Sequence, residues 1–283
     1  MIYIPDSLLE RWLLEDIQGG DLTTRTLGFG SRSGQMVFSH RQGGCVSGLE
    51  CARRMLKRLD LQIDFAVRDG EVVALGGLLL TATGPAQALH QGWKAVQNVL
   101  EWSCGVADYV YQMQQRMRQF VPEGHIACTR KTIPGTKLLA MQAVLNGGGI
   151  IHRAGCAETV LLFASHRRFC RDPQDWKAMI ATLRREAPEK AIVVEADNLQ
   201  EAEAALKARP DVLQLDKFTP AEVLQVQAIA AQLAPECRLS VAGGITLATV
   251  EDFARTGIAL LVTSAPYYAQ PADISVVISP MDD

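Results

Sequence analysis

The sequence predicts an α/β protein: an N-terminal α+β layer domain followed by an incomplete α/β barrel of about six strands. Three observations carry that expectation. From about residue 125 onward, short apolar runs alternate with stretches bearing helix signals, the pattern of parallel strands buried between helices. Polar or glycine residues sit at or just past the C-terminal end of nearly every run. The first hundred or so residues mix strand and helix signals without that alternation, as an α+β layer does.

In the N-terminal part, Ser7 to Leu14 is patterned as an amphipathic helix, Gly34 to His40 alternates like a strand, and Leu49 to Leu59 is helical with basic residues on one side. Leu61 to Val67 and Glu71 to Leu75, joined through Asp69-Gly70, are expected to form a hairpin. A long helical stretch, about Ala86 to Met117, joins the two parts, with Gly105 as a candidate interruption.

The barrel runs are Ile126–Thr129, Thr159–Phe163, Ala191–Glu195, Val212–Asp216, Arg238–Ala242 and Ala259–Thr263. Between them, Asp172-Pro173 has the order of a cap followed by proline in the first turn. Asn198 with Glu201, and Thr219 with Glu222, have capping-box spacing. Val223, Val226, Ile229, Ala230 and Leu233 recur at helical spacing, and Gly257 is placed as a helix stop. In a closed barrel the C-terminal strand ends converge on one mouth, whereas in an open sheet only strands beside a switch point carry functional residues. The spread of polar residues over so many ends favours the barrel. The expected boundaries are 1–105 for the first domain and 106–269 for the barrel, with 270–283 a candidate to return to the first domain.

The chain has 283 residues, 48% of them apolar, and a net charge of −3. That balance points away from nucleic-acid and membrane surfaces. No apolar run approaches the roughly 20 residues of a spanning helix, and the opening MIYIPDSLLERW does not show the basic-then-apolar pattern expected of a secretion signal. Seven cysteines, with no Cys-x-x-Cys, are expected to be reduced thiols in a cytoplasmic protein, not a zinc site.

The most informative segment is CTRKTIPGTKLLAMQAVLNGGGIIHR, from Cys128 to Arg153. It opens on Arg130-Lys131 after a strand and closes on Gly147 to Gly149 and His152-Arg153. Arginine grips carboxylate or phosphate with paired hydrogen bonds, so this cluster suits a small polyanionic ligand. Its glycines allow backbone to approach a ligand or another chain element. Glu195, Asp216, Gly243-Gly244 and Thr263-Ser264 lie at the other strand ends.

With these residues in place, the chain resembles the quinolinate phosphoribosyltransferase family nearly end to end. Glu15-Asp16-Ile17 with Gly20-Asp21-Leu22-Thr23 is similar to its opening motif. Asn98 and Gly105-Val106-Ala107 resemble its pre-barrel helix. Arg130-Lys131-Thr132, Pro134-Gly135, Ala143-Val144, Gly147 to Gly149 and His152-Arg153 match its most specific motif. Val194-Glu195, Leu215-Asp216 with Phe218, Gly243-Gly244-Ile245 and Thr256-Gly257 follow in order. The departures are also specific. Lys94 stands where the family has an arginine supplied to a neighbouring subunit. Phe163 stands for a lysine, Met141 for another, Ala242 for a serine, Ser264 for a glycine and Tyr268 for a histidine. Together they resemble the ModD-type branch, pyrophosphorylases associated with molybdenum transport.

The resemblance implies a type II phosphoribosyltransferase-like fold and transfer of phosphoribose from phosphoribosyl pyrophosphate to quinolinate or a related acid. Pyrophosphate is released, with carbon dioxide if quinolinate is the acceptor. It implies Lys131, Glu195 and Asp216 as catalytic residues. Lys94, Arg130, His152, Arg153 and Phe163 would line the acceptor pocket. Thr129, Lys131, Glu195, Asp216, Ala242, Gly243, Gly244, Thr263, Ser264, Ala265 and Tyr268 would hold the donor. Mg²⁺ would accompany the donor, with Glu195 and Asp216 as its direct or indirect partners. Small molecules are the expected partners, in a homodimer that shares sites between subunits. Losing a cation at Phe163 implies an acceptor with less negative charge. Two other classes remain open at this stage: a ligand-binding accessory protein that has lost turnover, and a barrel lyase forming a Schiff base through Lys131.

Overall fold

A computed structural model describes residues 2–281. The chain divides into two units, each built from non-contiguous segments: the described residues of 1–111, 132–148 and 266–283, and the residues 112–131 and 149–265.

The first unit is built on a four-stranded sheet. Its strands are β1 (Ser33–His40), β3 (Gln62–Ala66), β5 (Gly77–Pro85) and β13 (Ile274–Pro280), in the order β13-β1-β5-β3, and every pairing is antiparallel. β1 alternates as its sequence predicts, burying Met36, Phe38 and His40. Two short strands, β2 (Gly44–Cys45) and β4 (Val72–Val73), pair with each other. The expected hairpin therefore does not form. β3 pairs with β5, and the segment after Asp69-Gly70 pairs with β2. Alternation identifies a strand but not its partner.

Helix α1 (Asp6–Ile17), α2 (Leu22–Leu27) and α3 (Leu49–Lys57) belong to the same unit. In α3, Leu49, Ala52, Met55 and Leu56 recur on one face and are buried with Leu9 and Leu13 of α1 and with Phe38. The basic face is not idle: Arg54 and Arg58 both pair with Asp6, the latter at 2.5 Å, and Arg58 also reaches Glu10 at 3.1 Å. Helix α4 (Ala86–Arg118) runs unbroken through Gly105, contrary to the expected interruption. That glycine serves close packing, because a Cβ there would strike the carbonyl of Gln270.

The second unit is a seven-stranded, all-parallel sheet. Its strands are β6 (His125–Cys128), β7 (Ile150–Ile151), β8 (Val160–Leu162), β9 (Ile192–Ala196), β10 (Val212–Asp216), β11 (Arg238–Ala242) and β12 (Leu260–Thr263). The order is β7-β6-β12-β11-β10-β9-β8. The first barrel strand pairs with the last, while β7 and β8 form the two open ends, so the barrel is incomplete. The six expected runs are all strands; the seventh, β7, is two residues long.

Helix α5 (Lys137–Asn146) packs in the first unit, and α6 (Ala164–Arg167), α7 (Trp176–Glu186), α8 (Leu199–Lys207), α9 (Pro220–Leu233) and α10 (Val250–Ala254) belong to the second. In α9 the Thr219 and Glu222 side chains cap reciprocally, with Pro220 in the first turn. Asn198 accepts from the Glu201 N–H at 2.9 Å, but the Glu201 carboxylate accepts from the Asp197 N–H instead of the Asn198 N–H, so only half of that box forms. The cap of α7 is Asp175, which accepts from Ala178 N–H at 2.9 Å. Asp172 instead closes a turn onto Gln174, so the expected start at Asp172-Pro173 is three residues early. The last turn of α10 is followed by Gly257 at φ +81°, a left-handed stop.

Candidate active site

Parallel strands in register point paired residues to the same face, so the interior of the second unit can be read in rows. Glu195 pairs with Gln214, and Gln214 with Ser240, forming one polar row across β9, β10 and β11. One step toward the strand ends, Asp216 pairs with Ala242, Ala242 with Val262, Val262 with Ala127, and Ala127 with Ile150. Ala127, Ala242, Val262 and their neighbours Ile150 and Leu260 pack together as the apolar filling on the same face.

The cations converge at the ends of β6 and β7. Arg130 and Lys131 are exposed, and the turn carrying them is set by the Lys131 N–H donating to Thr129 Oγ1 at 3.2 Å. Thr129 itself is tied to β12 through the Thr263 carbonyl at 2.9 Å. Arg153 differs sharply from its neighbours: it is only 7% exposed. Burial and the nearby positive charge of Arg130 hold its guanidinium below the usual arginine range, and Glu195, Glu158 and Cys156 act in the opposite direction. Its guanidinium lies 5.7 Å from the centroid of the Phe163 ring. Among the described residues it makes no salt bridge. Phe163 stacks on His166 with centroids 5.5 Å apart, and its N–H donates to His166 Nδ1 at 3.1 Å.

The acids lie at the ends of β9 and β10. The Gln214 side-chain amide donates to Glu195 Oε2 at 2.7 Å. Burial raises the Glu195 carboxyl above its ordinary range, with Asp216 and Asp197 adding to the rise while Gln214 and Lys217 oppose it. Asp216 is paired with Lys217 at 3.1 Å. Lys217 adopts φ +61°, uncommon for a residue with a side chain, and its N–H donates to the Ala242 carbonyl at 2.8 Å. Gly243, at φ +85°, closes against this corner. A Cβ there would lie 2.7 Å from Lys217 Cγ and 2.9 Å from Asp216 Oδ1. Gly244 is exposed, at φ +74°, with open space where its Cβ would be.

At the end of β12 the expected donors are partly engaged within the chain. The Thr263 hydroxyl donates to the Ile245 carbonyl at 2.6 Å and accepts from the Ala265 N–H at 3.0 Å. Of the groups expected to face a phosphate here, the Ala265 N–H is thus already bonded; Ser264 is half-buried beside it.

Arg130, Arg153, Phe163, Glu195 and Asp216 therefore fall in one electrostatically connected group of the second unit. His152 has other surroundings than Arg153. It lines a cavity together with residues from the beginnings of the strands, and burial and Arg153 together lower its imidazole pKa. Lys94 and Tyr268 belong to the first unit. Lys94 Nζ donates to Gln97 Oε1 at 2.7 Å and lies 4.1 Å from the Trp93 ring centroid, and Tyr268 is 69% exposed. The triple glycine also divides its work: at Gly147 a Cβ would lie 2.8 Å from Val110 Cβ of α4, so this glycine serves helix packing. Three participants escaped the sequence reading: Gln214, Lys217 and His166. Gln214 carried a signal, a polar residue sharing the face of Asp216 in an otherwise apolar strand. Among the described residues, no three His, Cys, Asp or Glu side chains group as a metal site, and no helix is long and apolar enough to cross a membrane.

Comparison with known proteins matches residues 21–104 to the N-terminal domain and residues 106–277 to the C-terminal domain of quinolinate phosphoribosyl transferase. A protein of Escherichia coli O6:H1 named "Putative pyrophosphorylase ModD" is 59% identical over 280 residues, covering 99% of each chain. The nicotinate-nucleotide pyrophosphorylase (carboxylating) of Mycobacterium leprae is 30% identical over 265 residues, covering 91% of this chain and 90% of that one. The solved nicotinate-nucleotide pyrophosphorylase of Francisella tularensis superposes with a TM-score of 0.88 at 23% identity, covering 98% of each chain, a likeness of fold.

Proposed function

The chain belongs to the quinolinate phosphoribosyl transferase family, and we propose that it is an enzyme that transfers phosphoribose from phosphoribosyl pyrophosphate to a pyridine or related heterocyclic acid, releasing pyrophosphate. The observation that carries this reading is Arg153: a guanidinium 7% exposed, repelled by Arg130 and without an ion pair among the described residues. A buried cation without a direct ion pair is stabilised further by a bound anion. The acceptor's carboxylate is that anion, held by Arg153 and Arg130.

Departure of pyrophosphate leaves positive charge on the ribose ring. Glu195 and Asp216, on adjacent strand ends, stabilise that charge and hold the ribose hydroxyls. Lys131 meets the leaving diphosphate as a point charge, and the Gly243-Gly244 turn offers backbone N–H groups to the donor. Two acids make too small a set for a resident metal, and Asp216 already faces Lys217. They suit Mg²⁺ carried in by the diphosphate, with most of its ligands from substrate and water. Lys94, supplied by a second copy of the chain, would complete the acceptor pocket, which makes a homodimer the active unit.

Phe163 sets the acceptor's charge. It presents a ring to Arg153 where a cation would answer a second carboxylate, so the preferred acceptor carries one carboxylate fewer than quinolinate or replaces it with a neutral group.

The test is pyrophosphate release by the purified protein with phosphoribosyl pyrophosphate, Mg²⁺ and a panel of pyridine and other heterocyclic mono- and dicarboxylic acids. Release dependent on a monoacid supports the reading. Efficient use of quinolinate would overturn the assignment of Phe163. Tight binding of phosphoribosyl pyrophosphate with no release on any acceptor would instead favour a non-catalytic accessory protein.

A further inference from the structure

The second unit contains a cavity of about 570 Å³ at the end of the sheet where the strands begin, the end opposite Asp216 and Gly243. That volume is within the range of small-molecule sites. Its walls are mostly apolar, with Ile150, Val193, Val212 and Leu260 among them. Arg238 carries the only full charge on the lining side chains and makes no salt bridge among the described residues. Ser240, 1% exposed, also lines the cavity, and its hydroxyl has no hydrogen-bond partner among the described residues.

A buried hydroxyl normally finds a partner, and leaving it without one is unfavourable. His125, His152, Thr159 and Gln227 add polar groups to the otherwise apolar lining. The lining suits a ligand with an apolar body, a hydrogen-bonding group and one negative charge.

We propose that this cavity is a second binding site, separate from the strand-end cluster of Arg130, Arg153, Glu195 and Asp216, and that it takes a compact aromatic or branched aliphatic monocarboxylate. The carboxylate meets Arg238 at the rim. The apolar body lies among Ile150, Val193, Val212 and Leu260, and a polar atom of the ligand reaches the Ser240 hydroxyl. The site stands on the geometry of this cavity and does not depend on the transferase reading.

Benzoate is the probe, titrated by calorimetry against the full-length protein. Saturable binding is expected, at least tenfold weaker in Arg238→Gln, because a hydrogen bond to a charged group is lost. Filling the cavity with Val212→Phe or Ile150→Phe should abolish it. Arg130→Gln marks carboxylate binding at the other end of the strands, where a monoacid is also expected to bind; the Arg238-dependent binding event should persist in it with unchanged affinity. Absence of saturable binding to the unmodified protein overturns the proposal. So does affinity lost in Arg130→Gln but kept in Arg238→Gln, which would put benzoate at the strand-end cluster. Arg238 is exposed, so its replacement keeps the test sound even if a cavity-filling variant fails to fold.

Discussion

Gln214 holds Glu195 across the β9–β10 boundary, its side-chain amide donating to Glu195 Oε2 at 2.7 Å. Burial lifts the carboxyl above the ordinary range, and this bond pulls it back by favouring the charged form. If ionised Glu195 is required for turnover, activity is lost as pH falls through its raised pKa. Gln214→Leu removes the opposing hydrogen bond, so the acid limb of kcat/KM should move upward. Activity on the alkaline side should be largely kept. A limb that stays in place or moves downward would show that Glu195 does not govern it.

Arg153 should be costly for folding and necessary for binding. Replacing a buried, uncompensated charge by an apolar side chain is often neutral or stabilising. Arg153→Met is therefore expected to melt at an unchanged or higher temperature while losing acceptor binding by roughly 100-fold or more. Differential scanning calorimetry and acceptor titration measure the two effects separately. A variant that unfolds at lower temperature would show that Arg153 has a structural partner instead.

Gly243 combines a left-handed backbone with a crowded Cβ direction. Gly243→Ala strains the turn, at a cost of about 1–3 kcal/mol, and pushes against Asp216 Oδ1 and Lys217. Reduced stability should accompany weakened donor binding, read by thermal melting with and without phosphoribosyl pyrophosphate. Gly244→Ala shares the backbone strain but meets open space, so it should lose stability with a smaller effect on the donor. Equal effects on donor binding would remove Asp216 from the explanation.

Phe163→Lys restores a cation beside Arg153. Quinolinate turnover should rise at least tenfold and monoacid turnover should fall, since a second carboxylate gains a partner and a monoacid leaves the new charge uncompensated. Steady-state rates on both acceptors decide it. Unchanged selectivity would place the discrimination elsewhere.

Much of the second unit was readable because nearly every barrel strand is a short apolar run closed by a polar or glycine residue. Glu195 and Asp216 could be picked out on that ground. The two-residue strand Ile150–Ile151 could not, because so short a run has no period and follows glycine directly. The pairing of β4 with β2 was hidden for another reason: local pattern does not encode a strand's partner. His152 and Arg153 are adjacent in sequence yet have different surroundings, and only the structure separates a cavity-lining imidazole from a buried guanidinium. Lys217 gave no warning either, since a lysine in the left-handed region carries no compositional mark.

The central claim is transfer of phosphoribose, and the mass of the acceptor tests it most directly. Purified protein is incubated with phosphoribosyl pyrophosphate, Mg²⁺ and the acceptor panel, and products are resolved by mass spectrometry beside an Arg153→Met and a Glu195→Gln control. The account predicts one heterocyclic monoacid heavier by a phosphoribosyl group, formed by the unmodified protein and strongly reduced in both controls. An unmodified panel, or adducts formed equally by the two variants, would contradict it.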